Sequence, residues 1–537
     1  MKKLYATASA TPIATHGAIK TKVYSTASIV TALSIAERGL GFLYRIVLSR
    51  FIGAEGLGLY QVALSVFAVF LTIGTGGIPI SVSRLIAKSG KRGYEQNASG
   101  VTAAGITWSL VFTLPIVIFA LCFQAPFARL FSDERCLPVF YILLIGLCFS
   151  CLYAVIRGSF WGKKEFLLPS ILEIAEESVM VLAGVLLIRN VSDPLSGAKL
   201  AAWSVVISYL FSFTLSLLCF CLCGGKLSSP KKHLKPLFNA AIPITSVRAS
   251  GTLVSSAIAV LLPVMLMRSG IENSQALALF GVASGMALPI LMTPATVIGS
   301  IALVLMPELT QDYFNHNRAR LFHNVTRGFS VAALVACFLL PLFYALGQDM
   351  GNVAFSNAFA GEMIYKCCIL ILPMSLSMIS TSVLNAIGCE KQTLAFFLIG
   401  AAAMLACILF LPAVCGIYAY PIGMGINFLI NAICNIAFLF HKCKGLLAYA
   451  KKRLLSLVSR ALVCVLPLSL LGSGLRLLFN LFFGEIFAFA FTAVAIMLIT
   501  FVLWRILKIL PKNTFKTLFH RNRVNKNDKN GKNDNIF

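Results

Sequence analysis

Charged residues are scarce in this sequence: Asp, Glu, Lys and Arg make up 12% of its 537 residues, while apolar residues make up 58%. A soluble domain carries about 25% charged residues and is close to half apolar. Apolar runs of about 20 residues, each long enough to cross a bilayer, recur along the chain. This composition argues against a soluble globular protein and predicts an all-α polytopic membrane protein.

The sequence also lacks the features of a membrane enzyme. It contains no G-x-x-x-x-G-K-[ST] motif, which argues against ATP hydrolysis by a phosphate-binding loop. The loops between the apolar runs are short and leave no room for a soluble catalytic domain. We therefore predict that the protein is not an enzyme, and that it has no catalytic residues and no cofactor.

Cysteine and histidine show no zinc-type spacing. The 16 cysteines lie mostly within the apolar runs, and the six histidines are scattered over tails and loops. In a reducing, lipid-buried setting, cysteine behaves as a small apolar residue. We predict no metal site.

About fourteen apolar runs qualify as membrane-spanning helices. The predicted spans are 29–51, 60–85, 98–123, 138–158, 166–188, 200–223, 239–267, 280–306, 324–347, 363–387, 393–413, 421–441, 456–478 and 485–508.

The net charge of +26 is distributed unevenly between the two sets of loops. With both termini placed inside, most of the 45 Lys and Arg fall in inward loops and tails, for example in K-S-G-K-R, W-G-K-K-E and S-P-K-K-H-L-K. This is the positive-inside bias of membrane proteins, and it accounts for the basic balance without a nucleic-acid partner. We expect a multi-pass protein of a bacterial plasma membrane with both termini in the cytoplasm.

A weak internal repeat suggests how the chain is divided. Span two contains T-G-G-I-P-I-S-V-S-R and span eight contains L-M-T-P-A-T-V-I-G-S, each with a proline that we place in mid-helix. Six spans separate them, so the repeats share an orientation and predict two pseudo-symmetric six-helix lobes around a central cavity, plus two C-terminal helices. The predicted parts are a cytoplasmic extension at 1–28, an N-lobe at 29–223, a basic cytoplasmic linker at 224–238, a C-lobe at 239–441, two extra spans at 442–510 and a disordered basic tail at 511–537.

Several arginines lie within predicted spans, where a cation at the centre costs roughly 2.5–3.5 kcal/mol, and four of them are candidate site residues. Arg38 and Arg45 are seven residues apart, so a helix places them on one face about 10 Å apart along its axis. Arg248 lies in span seven, and Arg84 closes span two. We predict that these arginines line a cationic, substrate-binding cavity. For Arg84 the alternative is that its side chain reaches the membrane surface.

Acidic residues of spans one and five are candidate charge partners or ion-coupling groups. Glu173 and Glu177 share a helix face, Glu176 is one residue round it, and Glu37 precedes Arg38. Complete internal pairing, with nothing else bound, is the alternative to a cationic cavity. Because the span-five glutamates lie near the inner end of their helix, we expect a cation excess deeper in the N-lobe.

Small polar residues are candidates for the lining of the same cavity: Ser34, Ser250 and Asn385. The planar guanidinium of arginine binds phosphate in bidentate geometry. Together these groups suit a lipid-linked sugar, with a pyrophosphate on arginine, sugars in the wet cavity and a polyprenyl tail in the lipid. An exporter of cationic drugs would need the opposite, an acidic cavity.

Four stretches resemble the stage V sporulation protein B group of the polysaccharide transporter family. They are E-R-G-L-G-F-L-Y-R-I-V-L-S-R-F-I-G-A-E-G-L-G-L-Y-Q at 37–61, G-G-I-P-I-S-V-S-R-L-I-A-K at 76–88, R-G-S-F-W-G-K-K-E-F and A-I-P-I-T-S-V-R. The superfamily also holds lipid II flippases and MATE drug exporters. The resemblance covers residues 29–508.

This resemblance implies a two-lobe flippase that moves a lipid-linked (undecaprenyl-pyrophosphate) oligosaccharide or peptidoglycan precursor outward by alternating access, in cell-wall or spore-cortex synthesis. Arg38 matches a cavity arginine of lipid II flippases within R-x-L-G-F, whereas Arg45 is one position later than the second, with Tyr44 in its place. Two alternatives stay open: a MATE-like multidrug or cation antiporter, and a non-transporting scaffold that recruits cell-wall synthesis proteins through its basic inner loops.

Overall fold

The structure is a computed structural model that describes residues 16–88, 94–131, 133–191, 193–507 and 509. These residues form α-helices joined by short connections, with two 3-10 turns and one π-helical turn at Val282–Ala287, and contain no strand. The α-helices are α1 (His16–Thr75), α2 (Ile78–Lys88), α3 (Tyr94–Cys122), α4 (Gln124–Ala128), α5 (Cys136–Gly162), α6 (Leu167–Ile188), α7 (Pro194–Leu222), α8 (Lys231–Arg268), α9 (Asn273–Gly281), α10 (Leu288–Leu291), α11 (Thr293–Phe314), α12 (Arg318–Phe355), α13 (Ala358–Cys367), α14 (Ile371–Ala386), α15 (Glu390–Phe410), α16 (Pro412–Cys415), α17 (Ala419–Lys442), α18 (Leu446–Phe482) and α19 (Glu485–Ile506).

The all-α, multi-pass prediction is confirmed. In the described part of the chain, 13 helical segments are long and apolar enough to cross a membrane. Spans one and two, predicted as separate helices, belong to one segment, Ala32–Lys88, while predicted span eight is divided between Asn273–Leu291 and Thr293–Phe314. Predicted span five corresponds to α6, which falls outside the 13 because three glutamates interrupt its apolar run.

Helix α1 bends at Gly53, where the backbone has φ +68° and ψ −174°. Residues with a β-carbon rarely adopt such a positive φ, whereas glycine does so readily. The helix therefore resumes directly after the bend and runs on to Thr75. The loop expected between residues 51 and 60 is not present.

The two prolines of the internal repeat do not lie in mid-helix, which corrects the prediction. Pro79 is the second residue of α2, after the break at Gly76 and Gly77, and Pro294 is the second residue of α11, after the break at Met292. The first helical turn accepts proline because its N–H groups have no intrahelical acceptor. Both sequences thus mark a helix break that is followed by a proline.

The chain packs as two compact units. The first comprises Met1–Pro289 and Met404–Gly423, and the second comprises Ile290–Ala403 and Met424–Phe537. The predicted lobes divide instead at 224–238, a stretch that is helical from Lys231 onward. The lobe limits drawn from the repeat stay a prediction. Likewise, the extension predicted at 1–28 is helical from His16, and its first part and the tail at 511–537 lie outside the described residues.

In the first unit, α5 is the central helix and packs against α1, α2, α3 and α7. Many of its apolar side chains are almost completely buried, among them Phe140, Leu143 and Leu147. The backbones of α1 and α9 approach each other closely at Gly58. A β-carbon built there would lie only 2.0 Å from the carbonyl oxygen of Leu277. Any side chain at residue 58 would force these two helices apart.

In the second unit, α18 and α19 pack along α12. The buried guanidinium of Arg476 in α18 donates to both carboxylate oxygens of Asp349 in α12, over 2.8 and 3.0 Å. Such a bidentate pair fixes direction as well as distance. It joins α18 to the preceding helices of this unit.

A polar network centred on Asp133, which lies in the connection before α5, joins three parts of the first unit. Arg135 donates to Glu55 over 2.7 Å and to Asp133 over 2.9 Å, and Asn273 donates to Asp133 over 2.7 Å. Burial acts to raise the pKa of Asp133, but the hydrogen bonds and charge of Arg135, with the Asn273 amide, outweigh it and hold the pKa below its usual value. The network thus connects the part of α1 that follows Gly53 to the start of α9.

We expect Asp133→Asn to lower the free energy of unfolding by about 1–3 kcal/mol at pH 7, because the charged hydrogen-bond acceptor is lost. Since the folded-state pKa is lowered, the stabilisation by Asp133 is complete above its unfolded-state pKa of about 3.9 and disappears as the pH falls through the folded-state pKa. Thermal unfolding of the detergent-solubilised protein measures this. Glu134→Gln, an exposed neighbour in the same loop, is the control, and equal midpoints for both variants would contradict the assignment.

Candidate functional site

Helix α6 carries the three glutamates that form the centre of the candidate site. It packs against α1, α5 and α7, all within the first unit. Glu173 and Glu177 lie one turn apart on the same face of the helix, and Glu176 is adjacent to Glu177. All three side chains are at least half-buried among the neighbouring helices. The sequence prediction that these glutamates lie together within a span agrees with this arrangement.

Arg157 of α5 neutralises one of them. Its guanidinium lies 2.7 Å from a carboxylate oxygen of Glu173, and both side chains are largely shielded from solvent. The guanidinium carbon also lies 5.0 Å from the ring centroid of Trp161 and 5.6 Å from that of Tyr153. Aromatic faces attract cations at such distances, so Arg157 is held on two sides.

Glu177 faces α1. A β-carbon built at Gly41 would lie 3.7 Å from its Oε2 atom, in ordinary van der Waals contact, so the carboxylate lies directly beside Gly41. This oxygen is buried and has no hydrogen-bond partner among the described residues. Arg45, one turn further along α1, is the cation that acts on Glu177 through space, but it forms no ion pair with a described carboxylate within 4 Å.

Glu176 is directed toward α7 and α5. Its carboxyl lies beside the Ser212 hydroxyl and within electrostatic range of Tyr153 and Tyr209. Tyr153 is only 4% exposed, and its hydroxyl has no hydrogen-bond partner in the described part of the chain. A buried hydroxyl without a partner is rare in folded proteins and marks a place where a group can be bound.

Glu37 completes what we call the glutamate cluster: Glu37, Glu173, Glu176 and Glu177. It is half-buried in α1 and interacts electrostatically with Glu173 and Arg157. Among the described residues, Arg157, Arg45 and Arg38 act electrostatically on these four carboxyl groups. Carboxyl groups therefore outnumber arginines here, and the cation excess expected deeper in this lobe stays a prediction.

The other predicted arginines lie elsewhere. Arg38, Arg84 and Arg248 are exposed and form no ion pair with any described carboxylate within 4 Å. The seven-residue spacing places Arg38 and Arg45 on one helix face, but Arg38 is exposed, whereas Arg45 is half-buried beside the cluster. Arg84 lies one turn before the end of α2, where a long side chain can reach the membrane surface. The role of these arginines in substrate binding stays a prediction.

The predicted polar lining residues are not drawn into the cluster. Ser34 lies half-buried on α1, and the Ser250 hydroxyl donates to the Val247 carbonyl over 2.8 Å, within its own helix. Asn385 belongs to the second unit, where it accepts from the Thr393 hydroxyl over 2.8 Å. Their role as lining residues also stays a prediction.

Sequence reasoning did not select Arg157 and Tyr153 as site residues. The signal was present: Arg157 is an arginine inside predicted span four, 16 residues before Glu173. The described residues contain no group of three or more His, Cys, Asp or Glu side chains able to hold a metal ion. The cluster is built by four helices of one unit, α1, α5, α6 and α7.

We expect Arg157→Leu to lower the free energy of unfolding by about 1–3 kcal/mol, because Glu173 is left without its charged partner. The double variant Arg157→Leu/Glu173→Gln should recover part of this loss, since residue 173 no longer carries a charge that has lost its partner. Thermal stability in detergent is the measurement, with the exposed Arg189→Leu at the end of α6 as control. A double variant less stable than Arg157→Leu would contradict the pairing.

Comparison with known proteins identifies the relatives of this chain. The family model described as Polysaccharide biosynthesis protein matches residues 24–313. Stage V sporulation protein B of Bacillus subtilis (strain 168) is 23% identical over 353 residues, which cover 63% of this chain and 67% of that protein.

Two solved structures share the fold. The inward closed conformation of the lipid II flippase MurJ superposes with a TM-score of 0.65 at 14% identity, covering 89% of this chain and 99% of MurJ. An inward-facing multidrug resistance MATE family transporter of the MOP superfamily gives a TM-score of 0.64 at 15% identity, covering 76% and 95%. At this identity the likeness establishes the fold alone.

Proposed function

This chain belongs to the polysaccharide biosynthesis protein family, and from that membership we propose that it is a flippase for a lipid-linked oligosaccharide or peptidoglycan precursor. Family and fold are those of multi-pass membrane transporters rather than of enzymes. The proposed substrate carries an undecaprenyl pyrophosphate, and it moves outward across a bacterial plasma membrane by alternating access. The termini are proposed to lie in the cytoplasm, as the loop charges favour.

One observation carries the proposal beyond the family: two spanning helices present arginines that form no ion pair within 4 Å with a described carboxylate. Arg38 in α1 and Arg248 in α8 are exposed and belong to segments that cross the membrane. A cation at such a position is stable only beside water or an anion. The pyrophosphate of a lipid carrier is such an anion, and arginine binds it through two parallel hydrogen bonds.

The relatives support the same substrate class. One shared fold is that of a protein described as a lipid II flippase, and the B. subtilis relative is described as a sporulation protein. We propose a role in cell-wall or spore-cortex synthesis on this basis. Two further possibilities have only the charge of the loops in their favour. One is that the basic loops recruit cell-wall synthesis proteins, and the other is that the protein is a scaffold that does not transport.

A MATE-like cation antiporter is the second candidate, and the glutamate cluster favours it. Four carboxyl groups gathered among buried helices provide the acidic site that a cation exporter needs. The MATE-like fold is compatible with either activity. Resistance to cationic dyes in cells that express the chain would favour this candidate over a flippase.

We expect the wild-type chain to restore lipid II translocation in cells depleted of their own lipid II flippases. Arg38→Ala/Arg248→Ala should lower translocation at least about tenfold, because each charge-assisted phosphate contact contributes about 1.5–3 kcal/mol. The assay is exposure of lipid II on the outer leaflet, measured beside the amount of inserted protein.

Arg268→Ala is the matched control, an exposed arginine in the last turn of α8. Absence of rescue by well-inserted wild type would overturn lipid II as substrate and direct attention to other lipid-linked glycans or to cations. Equal rescue by the double variant would keep the flippase and discard these two arginines as its site.

A further inference from the structure

We propose that Glu176 and Glu177 form a proton-binding site in the first unit, at which one of the two carboxyl groups carries a proton. That this proton couples to substrate movement rests on the proposed flippase function. The site itself does not depend on that function.

The charge balance of the glutamate cluster is the first support. Arg157 pairs directly with Glu173 over 2.7 Å, and Glu37 lies at the half-buried edge beside exposed Arg38. Glu176 and Glu177 have no such partner, since Arg45 acts on Glu177 without an ion pair. Two neighbouring carboxylates in a water-poor region repel each other and are poorly solvated, and one added proton removes both costs.

The unused hydrogen-bonding atoms are an independent observation. The hydroxyl of Tyr153, 4% exposed, enters the cluster from α5 without a partner, and Oε2 of Glu177 is buried without one. A tyrosine hydroxyl both donates and accepts, and a carboxylic acid has the O–H donor that a carboxylate lacks. A protonated carboxyl is therefore a group that these atoms can bind.

Each helix packed against α6 contributes groups that face the pair. These groups are Glu37, Tyr44, Arg45 and Tyr60 from α1, Tyr153 and Arg157 from α5, Tyr209 and Ser212 from α7, and Glu173 from α6 itself. None is a histidine, and arginine and tyrosine keep their charge state near neutral pH. The carboxyl groups are therefore the ones that exchange a proton. A metal ion is a poorer fit, because the described residues offer no three-ligand group.

The position of the pair links it to the proposed substrate site. Glu177 lies beside Gly41, which follows Arg38 by three residues on α1. A proton gained at Glu177 removes a negative charge within a turn or two of the arginine that we propose binds phosphate. Proton binding and phosphate binding then favour each other, and by linkage the effect is reciprocal.

Dicyclohexylcarbodiimide tests the site directly, because it reacts with protonated carboxyl groups in apolar surroundings. We expect the purified wild-type chain in detergent to be labelled on the α6 peptide, with labelling that declines as the pH rises. Glu176→Gln/Glu177→Gln should lower this labelling at least about tenfold, while Glu173→Gln, which removes an arginine-paired carboxylate, should keep it. Mass spectrometry of the digested peptide identifies the modified residue.

The proposal is overturned if wild type is not labelled on α6, or if the double variant is labelled as strongly as wild type. If the double variant does not elute as a folded monodisperse species, the single variants Glu176→Gln and Glu177→Gln replace it in the labelling experiment. A second arm measures lipid II movement in proteoliposomes with and without an imposed pH gradient. Failure of wild type to move lipid II would reject the proposed function, while the labelling result still decides the proton site.

Discussion

The cost of charge inside a membrane is the constraint on which the first unit depends. A spanning helix that carries an ionisable side chain needs a partner, water or a ligand for it. Helix α6 carries three glutamates, and the helices around it meet this need unequally. Arg157 pairs with Glu173, Arg45 acts on Glu177 through space without an ion pair, and Ser212 lies beside Glu176. The packing of α1, α5 and α7 around α6 is therefore also a way of solvating carboxyl groups.

The arginines of this chain divide into two groups with different uses. Arg157, Arg135 and Arg476 are tied to carboxylates and hold helices or loops in fixed relation. Arg38 and Arg248 lie exposed on spanning helices and have no such partner among the described residues. The first group supports structure, while the second comprises the arginines that we propose bind the anionic substrate.

Much of the fold follows from the sequence, because an apolar run of spanning length has few alternatives to a membrane helix. The exact breaks were harder to predict: a single glycine bends α1 at Gly53 without ending it, while Pro79 and Pro294 each start a helix. The glutamates of α6 could be recognised from the sequence, because an ionisable residue within an apolar run is energetically costly in a membrane. Their arginine partner was not selected, because contact between Arg157 and Glu173 depends on how α5 and α6 rotate against each other, and helical spacing within one helix does not determine that.

Helix α6 has a consequence for the biogenesis of the protein. With three carboxylates among its 22 residues, it is the helix that a translocon, which sorts segments by hydrophobicity, would be slowest to release into lipid. Arg157, the partner of Glu173, precedes that glutamate by only 16 residues and lies in α5, the helix that leaves the ribosome just before α6. We therefore expect α5 and α6 to enter the bilayer as a hairpin whose charges are matched during synthesis.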